Sequence, residues 1–487
     1  MKRKILLLSL TAIGLLGVAI ISCKKVPDSG NKLDLNGEKA LVSNLCYEIL
    51  PAEIRVSRTL DPDSAYLISG PVKITNGAIL TAPAGTVFLG DHNTNTKGML
   101  IVERGSRLVA TGTSTNPVVF TSFQSAGSRL PGDWKGIAFL GQADNNSASP
   151  SSKVIDITKS FGTLTAGAIS GVVNNTQNSG TLQYVRIEYA GFQASGEQDP
   201  ASLLLAAVGS GTTIDHVQIT ESAKDGIVVR GGKVKATHML SFKTKETDFR
   251  ITNGYRENMQ YWAAVKSNAV ASSTGKLGLD ISNEPIASNN TPLTYPSISN
   301  FTFLGGEYCA GGDAQFAQAI VIRDNGNARI YNSVIAGYNS YGLNLIGTNV
   351  VQKTAAGTDP LQFSYNSFDD VGPLGVPYGY TMTGAWLGNG CDDDMTEWIE
   401  GVGTTPCMES GYQNGVSTLG YNQNSICGTC PFTPSFALGT NTLDPSNFTW
   451  DSGSQFDHPA YRGAFGATSW VVSTWNNFCP NSTNYCL

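Results

Sequence analysis

From about residue 46 onward, apolar residues come in short runs broken by glycine, asparagine and serine. Val87-Phe88-Leu89, Leu100-Ile101-Val102, Val118-Val119-Phe120 and Ile137-Ala138-Phe139 are examples. Runs of β-branched and aromatic residues bounded by turn formers predict strands. No stretch between 60 and 350 carries a sustained 3.6-residue period with caps, so the pattern predicts an all-β fold.

The runs recur. GIVVRGG (226–232), TDFRITNG (247–254), QAIVIRDNG (318–326) and YGLNLIG (341–347) form one series, and the steps between Val228, Arg250, Val321 and Asn344 include 22 and 23 residues. A second series contains YVRIEYAG (184–191), HVQITES (216–222), HMLSFKT (238–244) and SVIAGYN (333–339), with 22 residues from Val217 to Met239. A propeller blade needs about 40 residues and four antiparallel strands. A coil of about 22 residues with three short strands predicts a right-handed parallel β-helix instead. In it each strand pairs with its equivalents above and below, and the inward residues stack into one apolar column.

Composition agrees. Glycine contributes 54 residues and charged residues only 14%, against a usual charged share of about 25%. Gly and Asn tolerate the positive φ that coil corners require. The open ends of such a stack expose strand edges and need covering.

The chain starts with Met1-Lys2-Arg3-Lys4, an apolar run from Ile5 to Ile21, and Ser22-Cys23. A charged start, an apolar stretch and a small residue before the cut describe a removable export signal over 1–22. The run is short for a spanning helix, which needs roughly 20 residues. The Cys23 position resembles the lipobox of bacterial lipoproteins, in which the cysteine receives lipid acyl chains. The expectation is therefore a lipid (palmitate-type) anchor on Cys23, a flexible tether over 23–45, a β-helix over 46–370 and a C-terminal cap region over 371–487. Removing Lys2, Arg3 and Lys4 with the leader takes the formal charge from −6 to −9. An acidic mature chain is not suited to nucleic acid.

Several segments carry a family resemblance. ILTAPAGTVFLG (79–90), MLIVERGSRLVATGTSTNPVVFTS (99–122), GDWKGIAFLGQA (132–143), LQYVRIEYAG (182–191) and VGSGTTIDHVQIT (208–220) resemble a large group of β-helix lipoproteins from Bacteroidetes-type bacteria. FDHPAYRGAFGATSWVVSTW (456–475) is similar to their closing segment. The resemblance implies the fold and a cell-envelope location, and no established activity. Acidic pairs frequent in that group are reduced here to Lys224-Asp225 and Glu246-Thr247-Asp248.

Of nine cysteines, Cys23 is assigned to lipid. Cys46, Cys309, Cys391, Cys407, Cys427, Cys430, Cys479 and Cys486 remain, an even set that predicts disulfides in an exported protein. Cys427-Gly-Thr-Cys430 can also be read as half a zinc site or a redox pair, although no second ligand pair stands at matching spacing. Hydrolysis of a glycosidic bond needs two flanking carboxylates. Asp369-Asp370 is expected in a glycine-rich loop outside the clear repeats, without a partner. Thr213-Ile214-Asp215-His216 faintly resembles the Ile-Asp-His segment of pectate-lyase-like enzymes, but an outward polar position on a coil is the reading preferred. Asp392-Asp393-Asp394 lacks the alternating spacing of a Ca²⁺ loop, which leaves a structural Ca²⁺ as a lesser alternative to a solvated loop and no other cofactor expected. His92, His216, His238 and His458 show no metal spacing.

Trp386, Trp398, Trp450, Trp470 and Trp475 lie after residue 380, with six of the eight remaining cysteines. Aromatics bury large areas and also stack on sugar faces. They predict a stapled cap over the last coil, and a possible binding surface on it. The expected protein is lipid-anchored in the outer membrane, on either its surface or its periplasmic side. Its expected partners are the membrane and a polysaccharide or envelope protein, and the expected activity is binding or adhesion, not catalysis. A polysaccharide lyase or hydrolase, and a structural subunit of an outer-membrane complex, are the alternatives.

Overall fold

The computed structural model describes residues 47–93, 97–147, 152–267, 276–283, 288–306, 309, 313–354, 359–372, 380–383, 415–416, 427, 430, 436, 456–466, 469–472 and 474–485. The signal segment, Cys23 and the tether lie outside them. Among the described residues no helix is long and apolar enough to cross a membrane.

The chain winds into a parallel β-helix. Ile79–Ala82, Val87–Gly90 and Met99–Val102 make one coil, and Arg107–Thr111, Val118–Ser122 and Gly136–Leu140 lie parallel to them, in order, on the next. Among the described residues, repetition gives an 18-stranded and an 11-stranded sheet, with a separate two-stranded hairpin. The registers match the predicted repeats: Val228 pairs with Arg250, Val321 with Asn344 and Val217 with Met239.

The three-strand coil is interrupted in the middle of the stack. In Gly180–Glu188, Thr213–Thr220, Lys235–Phe242 and Asn258–Val265 two segments fuse into one strand, the halves of the first pairing with Arg107–Thr111 and Val118–Ser122. They separate again as Ser297–Ser299 and Thr302–Leu304, and stay separate on the coils after that. The turn between the halves shrinks to one left-handed residue: Tyr184 (φ 49°), His216 (φ 55°), His238 (φ 51°) and Tyr261 (φ 61°), followed by Asn300, Asn332 and Tyr365. For a non-glycine residue this conformation costs about 1–2 kcal/mol. Asn bears it easily; Tyr and His do so here with their rings stacked.

Inside, equivalents on successive coils meet at the sheet spacing of roughly 4.8 Å, so rings stack. Phe88 lies on Phe120 at 4.3 Å, and Trp262 on Phe301 at 5.6 Å. Full burial of each Val, Leu or Ile contributes about 1.5–3 kcal/mol, and this one column holds the coils together.

Two outer faces are also covered, which is why strands such as Ala201–Ala206 are buried throughout. The antiparallel hairpin Val154–Lys159 and Gly162–Gly167 lays Ile155, Ile157 and Leu164 over Ile101, Ala138, Leu204 and Val228. On the other sheet the C-terminal segment lays Phe465, Val471 and Phe478 over Leu240, Phe242 and Val334.

The disulfide- and aromatic-rich C-terminal region thus exists, but its described part lies elsewhere than over the last coil. It rises from Asp457, bonded to Gln260, to Arg462, which donates to the Asn366 carbonyl at 3.3 Å. It then descends along the flank: Gly463 at Asn332, Trp470 at His238, Asn477 at Gln218 and Asn481 at Gly127. It is a strap. The helix also runs past the expected boundary at 370, since Tyr380–Thr383 and Gly415–Val416 continue its ladders. Outward-facing apolar residues on both flanks are what the hairpin and the strap cover.

Candidate functional site

The outward row of the 11-stranded sheet reads, by register, Ala138, Leu204, Val228, Arg250, Asp280, Val321 and Asn344. Its apolar half lies under the hairpin. It turns polar at Arg250, one coil beyond Val228, the last residue of the covered cluster. Alternation along the strand puts Ile251 and Ile281 in the core and Arg250, Thr252, Asp280 and Ser282 outside.

The charges form a chain. Arg323 grips Asp280 with two parallel bonds, Nε to Oδ1 and Nη2 to Oδ2, both 2.9 Å, and also pairs with Asp324. Arg250 sits between two carboxylates, Nη2 at 3.1 Å from Asp225 Oδ2 and Nε at 3.5 Å from Asp280 Oδ2. Arg230 donates to Asp199 at 2.6 Å and to Asn253 at 2.7 Å. Asp225 is 1% and Asp280 2% exposed, while the Arg250 and Arg323 side chains are 27% and 30% exposed. Guanidiniums therefore top the face and carboxylates lie beneath.

Burial pushes the Asp225 carboxyl up to about 7, against the pull of Arg250, and Glu246, Asp280 and Asp199 add to the push. Asp225 raises Arg250, with Asp280 and Asp199, and this overcomes burial. A guanidinium so held cannot act as a base. Lys266 and Asp248, 2.8 Å apart and both fully buried, are each pushed toward neutrality by burial. Lys266 also donates to the carbonyls of Thr244 and Glu246, which makes the pair a structural clamp.

A second cluster lies on the flank. His216 Nδ1 is 2.8 Å from Asp215 Oδ2, and His238 Nδ1 is 2.8 Å from Asp215 Oδ1, the His216 contact being the less well aligned. Thr237 donates to the same carboxylate at 2.8 Å. Burial raises Asp215, but the hydrogen bonds from His216, His238 and Thr237 outweigh it and hold the carboxyl below the usual range. Among the described residues these three side chains form the one group with metal-ligating composition, their donor atoms within 4.8 Å of one another. The geometry argues against a metal centre. The imidazoles stack at 4.4 Å with planes 20° apart, so their lone pairs run side by side. A metal needs ligand lone pairs that converge on it. The cluster is a hydrogen-bonded stack, continued by Tyr184 at 4.5 Å and Tyr261 at 4.9 Å.

Trp470 and Trp475 meet this stack edge-on. Trp470 is 5.3 Å from His238, and Trp475 is 5.7 Å from both His216 and Tyr184. Trp475 is fully buried, so the expectation that it offers a sugar face is corrected: it docks the strap. Trp386, Trp398 and Trp450 lie outside the described residues. Cys427 is bonded to Cys309, and Cys430 to Cys479. The reading of Cys427-Gly-Thr-Cys430 as a zinc half-site or redox pair is thereby overturned, because each sulfur is spent on a different staple. Cys46, Cys391, Cys407 and Cys486, and Asp392-Asp393-Asp394, lie outside the described residues. Asp369 and Asp370, expected in a loop, sit instead on the strand Ser367–Val371, where the ladder to Val334–Tyr338 carries the repeat one coil further.

Sequence reasoning missed the Asp225, Arg250, Asp280 and Arg323 chain and the His216–His238 pair. The signal was available: 22 residues separate His216 from His238, one coil, and the same step underlies the repeats.

A family model of a pectate-lyase-like β-helix domain matches residues 52–402, more than two-thirds of the chain. No curated protein and no solved structure shows significant similarity to it.

Proposed function

The chain belongs to the pectate-lyase-like β-helix domain family, and from that premise we propose a lipid-anchored cell-envelope protein that binds an extended polysaccharide along the outer face of its 11-stranded sheet. Membership of this family fits a glycan-related role. The observation that carries the reading is the rank of Arg230, Arg250, Asp280, Arg323 and Asn344 on successive coils, beginning where the hairpin cover ends. Coils repeat at roughly 4.8 Å, so a polymer lying along the axis meets one polar residue per step.

Binding is favoured over cleavage because Asp280 is held by two arginines, and Arg250, protonated by its neighbours, is no base for a lyase. One observation favours the hydrolytic alternative. Asp225 keeps its proton up to about pH 7, as a general acid must. The proposed anchor is supported by Cys23 and the leader before it, and the outer membrane is its proposed location. Full-length protein in detergent, run through native gels cast with a polysaccharide panel, is expected to be retarded in at least one gel and to release no new reducing ends. Migration unchanged in every gel sinks the reading. Reducing ends that vanish in Asp225→Asn convert it to a hydrolase.

A further inference from the structure

We propose that Lys266 and Asp248 condense after folding into an amide cross-link between Nζ and Cγ, with release of one water. Both side chains are fully buried, and Nζ stands 2.8 Å from Asp248 Oδ2. That contact is not aligned as a hydrogen bond. Cγ lies one C–O bond of about 1.2 Å beyond Oδ2. The nitrogen is therefore within about 1 Å of the near-attack separation of roughly 3–3.5 Å. Backbone bonds to neighbouring coils fix both partners: Asp248 N donates to the Leu277 carbonyl at 3.0 Å, and Lys266 N to the Leu304 carbonyl at 2.9 Å.

Both hydrogens of a neutral amine have acceptors. Lys266 Nζ donates to the Thr244 carbonyl at 3.0 Å and to the Glu246 carbonyl at 2.6 Å. An ammonium has a third N–H to place; a neutral amine has a lone pair there instead, left for the carboxyl group. The nearby acids are engaged elsewhere, Glu246 with Lys224 and Asp225 with Arg250. Phe316, itself fully buried, lies 4.5 Å from Nζ. An amine desolvated in this way is a nucleophile. Burial also drives both groups toward the uncharged forms that react.

The Nζ lone pair attacks Cγ of the protonated carboxyl, and Oδ1 takes up the displaced electron pair. Ser241 Oγ donates to Oδ1 at 2.6 Å, where that charge develops. A proton then passes from Nζ to Oδ2, which leaves as water while the carbonyl re-forms at Oδ1. The step uses no oxidant, reductant or cofactor. Its product ties the residue before the strand Phe249–Thr252 to the residue after Asn258–Val265, so one coil becomes a closed ring. The ion pair is the state of this clamp before condensation.

The test is peptide mass mapping of the full-length protein, digested with trypsin in denaturant after reduction and alkylation. Condensation blocks cleavage after Lys266. The expected product is a branched species that joins residues 246–250 to residues 257–276 and is lighter than the two peptides together by one water. The linear peptide 257–266 is expected to be depleted. Lys266→Arg keeps the charge and cannot form this bond, so it should yield the two linear peptides 246–250 and 257–266, and Asp248→Ala should do the same. Full yield of both linear peptides from the wild type, without the branched species, overturns the proposal, whether or not either variant folds. A branched species that persists in Lys266→Arg or Asp248→Ala overturns the assignment to this pair.

Discussion

The rings of His216 and His238, one coil apart, lie face to face at 4.4 Å and turn their Nδ1 atoms to the same carboxylate, that of Asp215. The carboxylate is what allows two imidazoles to stack under the edges of Trp470 and Trp475. Asp215→Asn is therefore expected to destabilise the protein by about 2 kcal/mol at pH 7, the worth of charge-assisted hydrogen bonds. The sign of the pH dependence follows from the lowered pKa of Asp215. Its contribution is full above the unfolded value of about 4 and fades as pH falls through the lower folded value. Thermal melts should show the gap between wild type and variant widest at pH 7 and closing toward pH 2. A constant gap would falsify the assignment.

Arg129 fastens the foot of the strap. It is 1% exposed and donates Nη1 to the carbonyls of Pro480 and Thr483 at 2.7 and 2.8 Å, with Tyr485 under its guanidinium at 4.8 Å. Arg129→Ala strands both acceptors and should cost about 3 kcal/mol. Denaturant unfolding would read this as a lower midpoint. Limited proteolysis should cut first between 470 and 485; cutting unchanged from wild type would remove the fastening role.

The disulfide between Cys430 and Cys479 closes a separation of 49 residues. In the chain-entropy picture such a loop contributes about 4 kcal/mol. Cys430→Ser with Cys479→Ser is expected to lower the melting temperature and to speed amide exchange at Phe478 and Trp475. Exchange that stays at the wild-type rate would mean that packing alone holds the strap.

Lys266→Met alone leaves Asp248 buried without its cation and should cost about 3–5 kcal/mol. Adding Asp248→Leu is expected to recover most of that loss, because burial already opposes both charges. A double variant no more stable than the single one would show that the Lys266 bonds to Thr244 and Glu246, not the ion pair, carry the effect.

Cys23→Ala is expected to abolish incorporation of labelled palmitate and to move the protein from the detergent phase to the aqueous phase on partitioning. Retained label would place the lipid elsewhere.

The coil was legible because parallel strands repeat in register, and the step from Val228 to Arg250 is the helix itself written in the chain. The charged chain on the outer face was not legible. Asp225, Arg250, Asp280 and Arg323 are separated by unequal insertions, and only the folded register aligns them. The strap was half legible. Its cysteines and tryptophans announce packing, but nothing local says that Trp470 meets His238 and not the last coil, since a contact across more than 200 residues leaves no spacing to read. The value of the paired histidines was hidden for the opposite reason. Twenty-two is no ligand spacing on a helix or strand, yet it is one full turn of this fold.

The path of the strap also decides how the molecule carries tension. Tyr47 packs on Phe123 at 5.2 Å, and Asn481 accepts a bond from Gly127 at 2.7 Å. A pull applied at these two points is taken up within one loop, a few residues across. The coils beyond it share such a load only through the strap's own attachments, from Asn477 at Gln218 up to Arg462 at Asn366.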